Sequence, residues 1–504
     1  MKLKLFLIFL LALSLRWLFL PKAAITFGYD QARDAYIAGE IINGDLKILG
    51  PSVSGVPGLY HGVLYYYLIA PAYLFGHGNP VYAAYLMSFL NALGVFITYG
   101  LVYILTNKKD PALISALIFA FSFEATQYAN WLSNPSMAVW FVPLIYIGLY
   151  LWITKKQKWG AVLTGLGLGM SVQSNVSLAY HLAPVFLWLF ICKKRIKIKE
   201  VICFFITLFI AVSPMLLVEI KFGLKGIRGL FYLFTSQDVT TSQKALGDFF
   251  VIYLNQLGKI FAYTLFPLNL VFGGLIGLAI LILVLNKWIK GRDLLSWEPF
   301  LSSYILAHII ALPFGGSSTP HITAGMVVGV SAFIGIFLWE SFRNKTKILI
   351  YILSFIFIAN SVKIVQENLH GQTNFAIQKD LILSKELEVV DYTYFDANGK
   401  SFSFNNLTSP LFVNTLWSYL YNWYGKGKYG YVPSYTGRDQ IGQPGDNLVR
   451  GTGDTNVHFY IIEPLDGIPR QYLGLGNGEE NTTSDLVVQK EFGNILVQKR
   501  ILRR

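Results

Sequence analysis

The segment Tyr29-Asp30-Gln31-Ala32-Arg33-Asp34 sets two carboxylates and a guanidinium three and four residues apart. On a helix that spacing brings Asp30, Arg33 and Asp34 to one face. A carboxylate held open there can take a proton from an acceptor group as general base. The same Asp30 can instead cap the helix and pair with Arg33, and spacing alone leaves both readings open. The segment directly follows an apolar run of span length, and ionisable groups held at the edge of lipid are costly and usually have a task.

Further along, Pro57-Gly58-Leu59-Tyr60-His61-Gly62-Val63-Leu64-Tyr65-Tyr66-Tyr67 brings a histidine and four tyrosines back to the membrane lip. His61 is a candidate contact for an anion, and Tyr60 and Tyr65 offer faces on which sugar rings stack. Other candidates lie far away in sequence. His321 follows Pro320 at a span entrance, Lys225 and Arg228 sit among Leu, Ile, Phe and Tyr, and Glu219 precedes Lys221. The Lys225/Arg228 run reads as a helix in the membrane interface, where basic residues recruit anionic headgroups or capture a donor phosphate.

These residues must be positioned by a membrane bundle. About eleven apolar stretches of span length are expected near 3–23, 80–105, 111–130, 134–153, 159–178, 180–193, 200–219, 260–285, 299–314, 321–341 and 348–365. Every second connection is basic: Lys2/Lys4, Lys108/Lys109, Lys155/Lys156/Lys158, Lys193 to Lys199, Lys287/Lys290/Arg292 and Arg343/Lys345/Lys347. Short basic loops stay inside, so the N-terminus is expected in the cytoplasm and the loop 27–80 outside. An odd number of spans leaves the C-terminus outside too. Aromatics at span ends, including Trp17, Tyr82, Tyr85, Trp131, Trp152 and Trp159, read as interfacial anchors.

Composition agrees with a chain solvated largely by lipid: 54% of residues are hydrophobic and only 14% charged, against roughly 25% charged in soluble proteins. The formal net charge of +13 is concentrated in the inward loops, which discounts nucleic acid as a partner. Two cysteines, Cys192 and Cys203, flank an inward loop and give an outer domain no disulfide framework. Walker, dinucleotide, zinc-finger and serine-elbow signatures are absent, which argues against a nucleotide-sugar donor.

The expected organisation is a membrane domain over 1–365 and a soluble extracytoplasmic domain over 366–504. Two outward loops, 27–80 and 221–256, are too long for simple connectors. After Val365 the runs at 386–395, 456–462 and 485–497 read as strands and 414–424 as a helix, giving a small mixed α/β domain on an all-α polytopic bundle.

The first span, the Asp-containing helix and the His61-Gly62-x-Leu64-Tyr65-Tyr66 segment resemble the GT-C class of membrane glycosyltransferases, in particular the family 39 group that includes protein O-mannosyltransferases and lipid A aminoarabinose transferases. The resemblance covers the arrangement of the whole chain, with its sharp motifs confined to 29–67. It implies that Asp30 is the catalytic base, that the sugar comes from a polyprenyl-phosphate donor with inversion, and that the reaction runs at the outer face of the plasma membrane. Arg33, His61, His321, Lys225 and Arg228 are then candidates for the donor phosphate, and Asp34, Tyr60, Tyr65, Asn134 and Glu219 for the acceptor or sugar. Gln31 stands where many relatives carry a second acid, and Asn134 before Pro135 where they often carry another. A paired-carboxylate metal bridge is thereby weakened, although a divalent cation stays open as cofactor. The acceptor, whether protein, lipid or glycan, is unknown. A polytopic transporter or flippase of lipid-linked saccharides is the rival reading, expected to show two related halves with broken helices and midplane ionisable groups.

Overall fold

The computed structural model describes residues 2–53, 56–235, 246–314, 320–452 and 455–503. The middle of the second long loop (236–245), the short loop 315–319 and residues 54–55 of the first loop's lip lie outside the described residues.

The membrane part runs α1 (Lys2–Trp17), α2 (Tyr29–Ile42), α3 (Leu64–Phe75), α4 (Pro80–Ala92), α5 (Gly94–Thr106), α6 (Lys109–Phe121), α7 (Phe123–Asn130), α8 (Ala138–Ile153), α9 (Trp159–Ser174), α10 (Leu182–Ile191), α11 (Ile198–Lys221), α12 (Lys225–Thr235), α13 (Leu246–Leu265), α14 (Leu270–Gly291), α15 (Trp297–Leu306), α16 (Pro320–Thr323), α17 (Met326–Phe342) and α18 (Thr346–Asn368). Among the described residues six helical segments are long and apolar enough to cross a membrane, or seven if the α6–α7 pair, bent by 53°, is one span.

Eleven were expected, and by length and apolarity fewer qualify, because polar caps divide several apolar stretches at points the hydropathy pattern does not mark. Ser122 accepts from the Ala125 N–H (3.4 Å) and starts α7, while Asn175 accepts from the Ser177 N–H (2.9 Å) and ends the stretch begun by α9. The expected span 260–285 is two helices. α13 stops at Leu265, and the Asn269 side chain opens α14 by accepting from the Phe272 N–H (3.0 Å). Each cap satisfies a donor that a helix start leaves without a partner.

The C-terminal part contains α19 (Leu383–Ala397), α20 (Thr415–Leu420), α21 (Lys426–Tyr429), α22 (Arg470–Thr483) and strands β1 (Ser403–Leu407), β2 (Ser434–Tyr435), β3 (Val457–Ile462), β4 (Ser484–Phe492) and β5 (Ile495–Leu502). The sheet order is β2-β1-β3-β5-β4, with β2-β1-β3 parallel and β3-β5-β4 antiparallel. The strand at 456–462 and the helix at 414–424 lie where expected. The expected strand at 386–395 is instead helix α19. Glu386, Val389, Val390, Thr393, Tyr394 and Ala397 are buried, a spacing of three and four that belongs to a helix face. The run 485–497 is not one strand but the β4–β5 hairpin, turned at Gly493, whose φ is +63°.

Two large apolar cores result, beside two smaller clusters. One fills the bundle from α1 to α18. The second joins Ile25, Phe27, Ala32, Ala35, Tyr65 and Tyr66 of the first loop to Leu381, Leu383, Trp417, Tyr421 and Phe459 of the C-terminal part. Backbone pairing ties the same two segments: Phe27 N–H donates to the Leu381 carbonyl (3.4 Å) and Leu383 N–H to that of Ile25 (3.0 Å). Tyr419 closes the contact through a 2.5 Å bond to the Gly78 carbonyl. The first loop and the C-terminal domain therefore form one packed body on one face of the bundle.

Candidate active site

Helix α2 begins after Gly28, whose backbone N–H donates to Oε1 of Gln31 (3.0 Å), while Nε2 of Gln31 donates to the Leu132 carbonyl (2.9 Å). Gln31 thus closes the helix start and pins it to the bundle, with both ends of its amide occupied by backbone. Ala32, Ala35 and Ala38 form the buried stripe, and the neighbouring face carries Asp30, Arg33 and Asp34.

Arg33 reaches both acids. Its Nη1 lies 2.6 Å from Oδ1 of Asp30, and its Nε and Nη2 lie 2.9 and 2.7 Å from Oδ1 of Asp34. The two carboxylates differ sharply in access: the Asp30 side chain is 64% exposed and that of Asp34 only 3%. Burial lowers the Arg33 pKa, but the charges of Asp34 and then Asp30 outweigh it and hold the guanidinium protonated. Burial pushes the Asp34 carboxyl up, and Arg33 offsets part of that rise. The trio therefore has a fixed inner pair and one open carboxylate. Arg33, with its donors shared between two acids, is placed to position Asp30 rather than to meet a phosphate alone.

His61 returns on the lip. Its backbone N–H donates to the Pro51 carbonyl (2.8 Å), and its Nδ1 accepts from the Val176 N–H (3.2 Å), which leaves the ring proton on Nε2. Burial, aided by the nearby charges of His321 and Arg33, lowers its pKa to about 4, so the ring is neutral near pH 7. His61 is a neutral donor, not a cation.

His321 is brought in by α16, a single turn held from outside. Tyr128 Oη donates to the Pro320 carbonyl and Tyr180 Oη to the Ile322 carbonyl, both at 2.7 Å. The ring stacks obliquely on Trp131 (centroids 5.1 Å apart), its Nδ1 is buried without a partner, and it lies within electrostatic reach of Asp30. Asp30, Arg33, Asp34, His61 and His321 thus share one neighbourhood. Trp131 and Tyr128 were not expected there. Trp131, like Trp152, is buried rather than an exposed anchor. Their aromatic character was visible in sequence, but nothing local marked the side they face.

Other expected site residues stand differently. Glu219 Oε2 accepts from the Ile227 N–H (3.2 Å), so it fastens α12 to the end of α11. Asn134 is buried, and its Nδ2 donates to the Ser174 carbonyl (2.5 Å). Tyr65 is 1% exposed and has no open face for a sugar ring. Tyr60 stays half-buried beside Phe222, ring centroids 6.5 Å apart. Lys225 and Arg228 are exposed on α12 and pair with no acidic side chain among the described residues. Gly58, at φ +81°, lies against Lys225, and the glycines Gly226 and Gly229 let the lip 56–59 lie directly on α12, where a Cβ would meet the Gly58 and Pro57 carbonyls at 2.9 and 2.8 Å. The basic helix is thereby fixed to the loop that carries His61.

Among the described residues no three His, Cys, Asp or Glu side chains gather as metal ligands. With Gln31 bonded to backbone and Asp34 to Arg33, Asp30 is the single open carboxylate of the segment, so the protein by itself offers one carboxylate rather than a pair to a divalent ion. The C-terminal domain holds a Ser403–His458–Glu480 chain, with bonds of 2.9 and 3.0 Å. Ser403 is fully buried, which denies it a substrate.

No known family profile matches the chain, and no curated protein sequence does. Solved structures similar to it include the apo oligosaccharyltransferase of Archaeoglobus fulgidus, at 14% identity and a TM-score of 0.47 over 78% of this chain and 57% of that one. The oligosaccharyltransferase AglB of the same organism, in complex with an inhibitory peptide and a dolichol-phosphate, aligns at 14% identity and TM-score 0.45 over 85% of this chain and 63% of that one. In each case the chain spans less than two-thirds of the other protein's length.

Proposed function

We propose that the chain is a polytopic membrane glycosyltransferase of the GT-C type that moves a sugar from a polyprenyl-phosphate donor to an acceptor at the outer face of the plasma membrane. The observation that carries the reading is the asymmetry of the acidic pair: Asp34 is buried on Arg33, and Arg33 holds the exposed Asp30 carboxylate open at the membrane edge.

In this reaction a hydroxyl oxygen or an amide nitrogen of the acceptor attacks the anomeric carbon while Asp30 takes the proton that atom carries. The bond from that carbon to the phosphate oxygen breaks, and its electrons leave with the polyprenyl phosphate. One displacement from the opposite face inverts the anomeric centre. The leaving phosphate gains charge, so donors aimed at it count most in the transition state. That part falls to His61 Nε2–H and His321 in this reading, and Lys225 and Arg228 recruit the anionic headgroup from the interface. Arg33 and Asp34 position the base. The membrane domain and the first loop carry the chemistry, with the N-terminus inside and the C-terminal domain outside.

Incubating purified protein with polyprenyl-phosphate sugars of several kinds and following donor loss tests the reading. Consumption abolished by Asp30→Asn supports it, and intact donor in every case removes it.

A further inference from the structure

Beside Glu124 of α7 lies a polar cavity of about 200 Å³, lined by Glu124, Gln256, Lys259, Tyr263, Asn374 and Phe375 among others. Two of these side chains are buried with polar atoms that meet nothing. Glu124 is 3% exposed and Gln256 4%, and among the described residues neither Oε2 of Glu124 nor either amide atom of Gln256 finds a partner. Such atoms cost free energy unless a ligand or ordered water meets them, and an ionisable residue on a broken helix within an apolar bundle marks a functional site.

The chemistry of the lining selects the occupant. An unpartnered carboxylate oxygen opposes an anion, and a single carboxylate with Lys259 at the rim opposes a cation. Gln256 offers one donor and one acceptor, and Glu124 an acceptor. Hydroxyl groups, which both give and take a proton, satisfy all three. Tyr263, Phe375 and the neighbouring Ile260 and Pro320 supply apolar walls. Drug-sized ligands occupy pockets of roughly 300 to 1,000 Å³, so this smaller volume suits one ring. We infer that the cavity lined by Glu124 and Gln256 binds a single neutral sugar ring. Phe375 packs on Trp131 (4.9 Å) and Trp131 on His321 (5.1 Å), which links the cavity wall through two ring contacts to the His321 of the candidate site. The ring belongs to the donor or to a saccharide acceptor of the proposed transfer.

The test is saturation-transfer NMR and titration calorimetry on purified full-length protein with glucose, mannose, galactose and N-acetylglucosamine. Saturable binding of at least one is expected, weakened tenfold or more by Glu124→Gln and Gln256→Leu. Asn374→Leu, on an exposed wall residue, gives the same loss if a buried variant fails to fold. No saturable binding to the wild type, or equal binding by the variants, overturns the inference, the cavity then holding water only. Competition by a short-chain polyprenyl-phosphate sugar supports it and assigns the ring to the donor, and binding without competition supports it and assigns the ring to the acceptor. Sugar binding without turnover of any lipid-linked donor keeps this inference and removes the transferase reading, and turnover without sugar binding does the reverse.

Discussion

Arg33 donates twice to one oxygen of Asp34, from Nε at 2.9 Å and Nη2 at 2.7 Å, so the guanidinium plane is set from its buried side. Asp34→Asn removes that anchor while preserving shape. Breaking a buried pair costs roughly 3–5 kcal/mol, so a lower melting temperature is expected, with kcat reduced and Asp30 still present. An unchanged melting temperature sinks the anchoring role.

Asp30→Asn is expected to abolish transfer with folding intact, because the side chain is 64% exposed. Loss of a general base typically costs about 10²- to 10⁴-fold. Donor turnover in single-turnover assays measures this, and most activity surviving would pass the role to Glu40.

Gln31→Glu is expected to destabilise α2 and to create no metal dependence. A carboxylate there would face the Leu132 carbonyl that now accepts from Gln31 Nε2. Melting temperature with and without magnesium or chelator decides it, and a metal-dependent gain in activity contradicts the expectation.

His61→Ala should lower kcat, whereas Lys225→Ala combined with Arg228→Ala should raise the donor KM. A contact that strengthens as phosphate departs affects turnover, and one made equally to the bound donor affects KM. Since the His61 pKa is lowered to about 4, the pH–rate profile should show no limb from this ring between pH 5 and 9. An acid limb near 6.5 that His61→Ala removes would show a cationic histidine instead.

In the C-terminal domain Glu386 and Glu463 are buried near one another. Burial raises Glu463 to about 7 from 4.5 and carries Glu386 well above its usual range. A carboxyl raised on folding contributes stability that is full below about 4.5 and lost as pH rises through about 7. For Glu463 alone the difference is about 3 kcal/mol. Unfolding should therefore be easier at pH 8 than at pH 5. Glu386→Leu, which replaces two unpartnered oxygens, should raise stability and flatten the profile. A pH-independent melting temperature would refute this.

Much of the site was legible because it is local. The three- and four-residue spacing in 30–34 reports a helix face directly, and the return of His61 is written in the Gly- and Pro-rich lip. What was not legible depends on partners distant in sequence. Nothing near Gln31 announces the Leu132 carbonyl, and nothing near Trp131 announces His321. The span boundaries at Asn175 and Asn269 were not legible because hydropathy sees apolar residues on both sides but not the turns these residues cap. Helix α19 was misread because Val389, Val390 and Thr393 favour strands, while the core they meet selects a helix.

The joint core of the first loop and the C-terminal domain has a consequence for synthesis. Ile25 and Phe27 leave the ribosome early, yet their backbone partners Leu381 and Leu383 emerge several hundred residues later. Until then α2 packs on α3 and is held to the Leu132 carbonyl by Gln31, but the side of the joint core made by Leu381, Leu383 and Trp417 is missing. The surface that carries Asp30 is therefore completed from two segments more than three hundred residues apart, so its assembly waits on the later one.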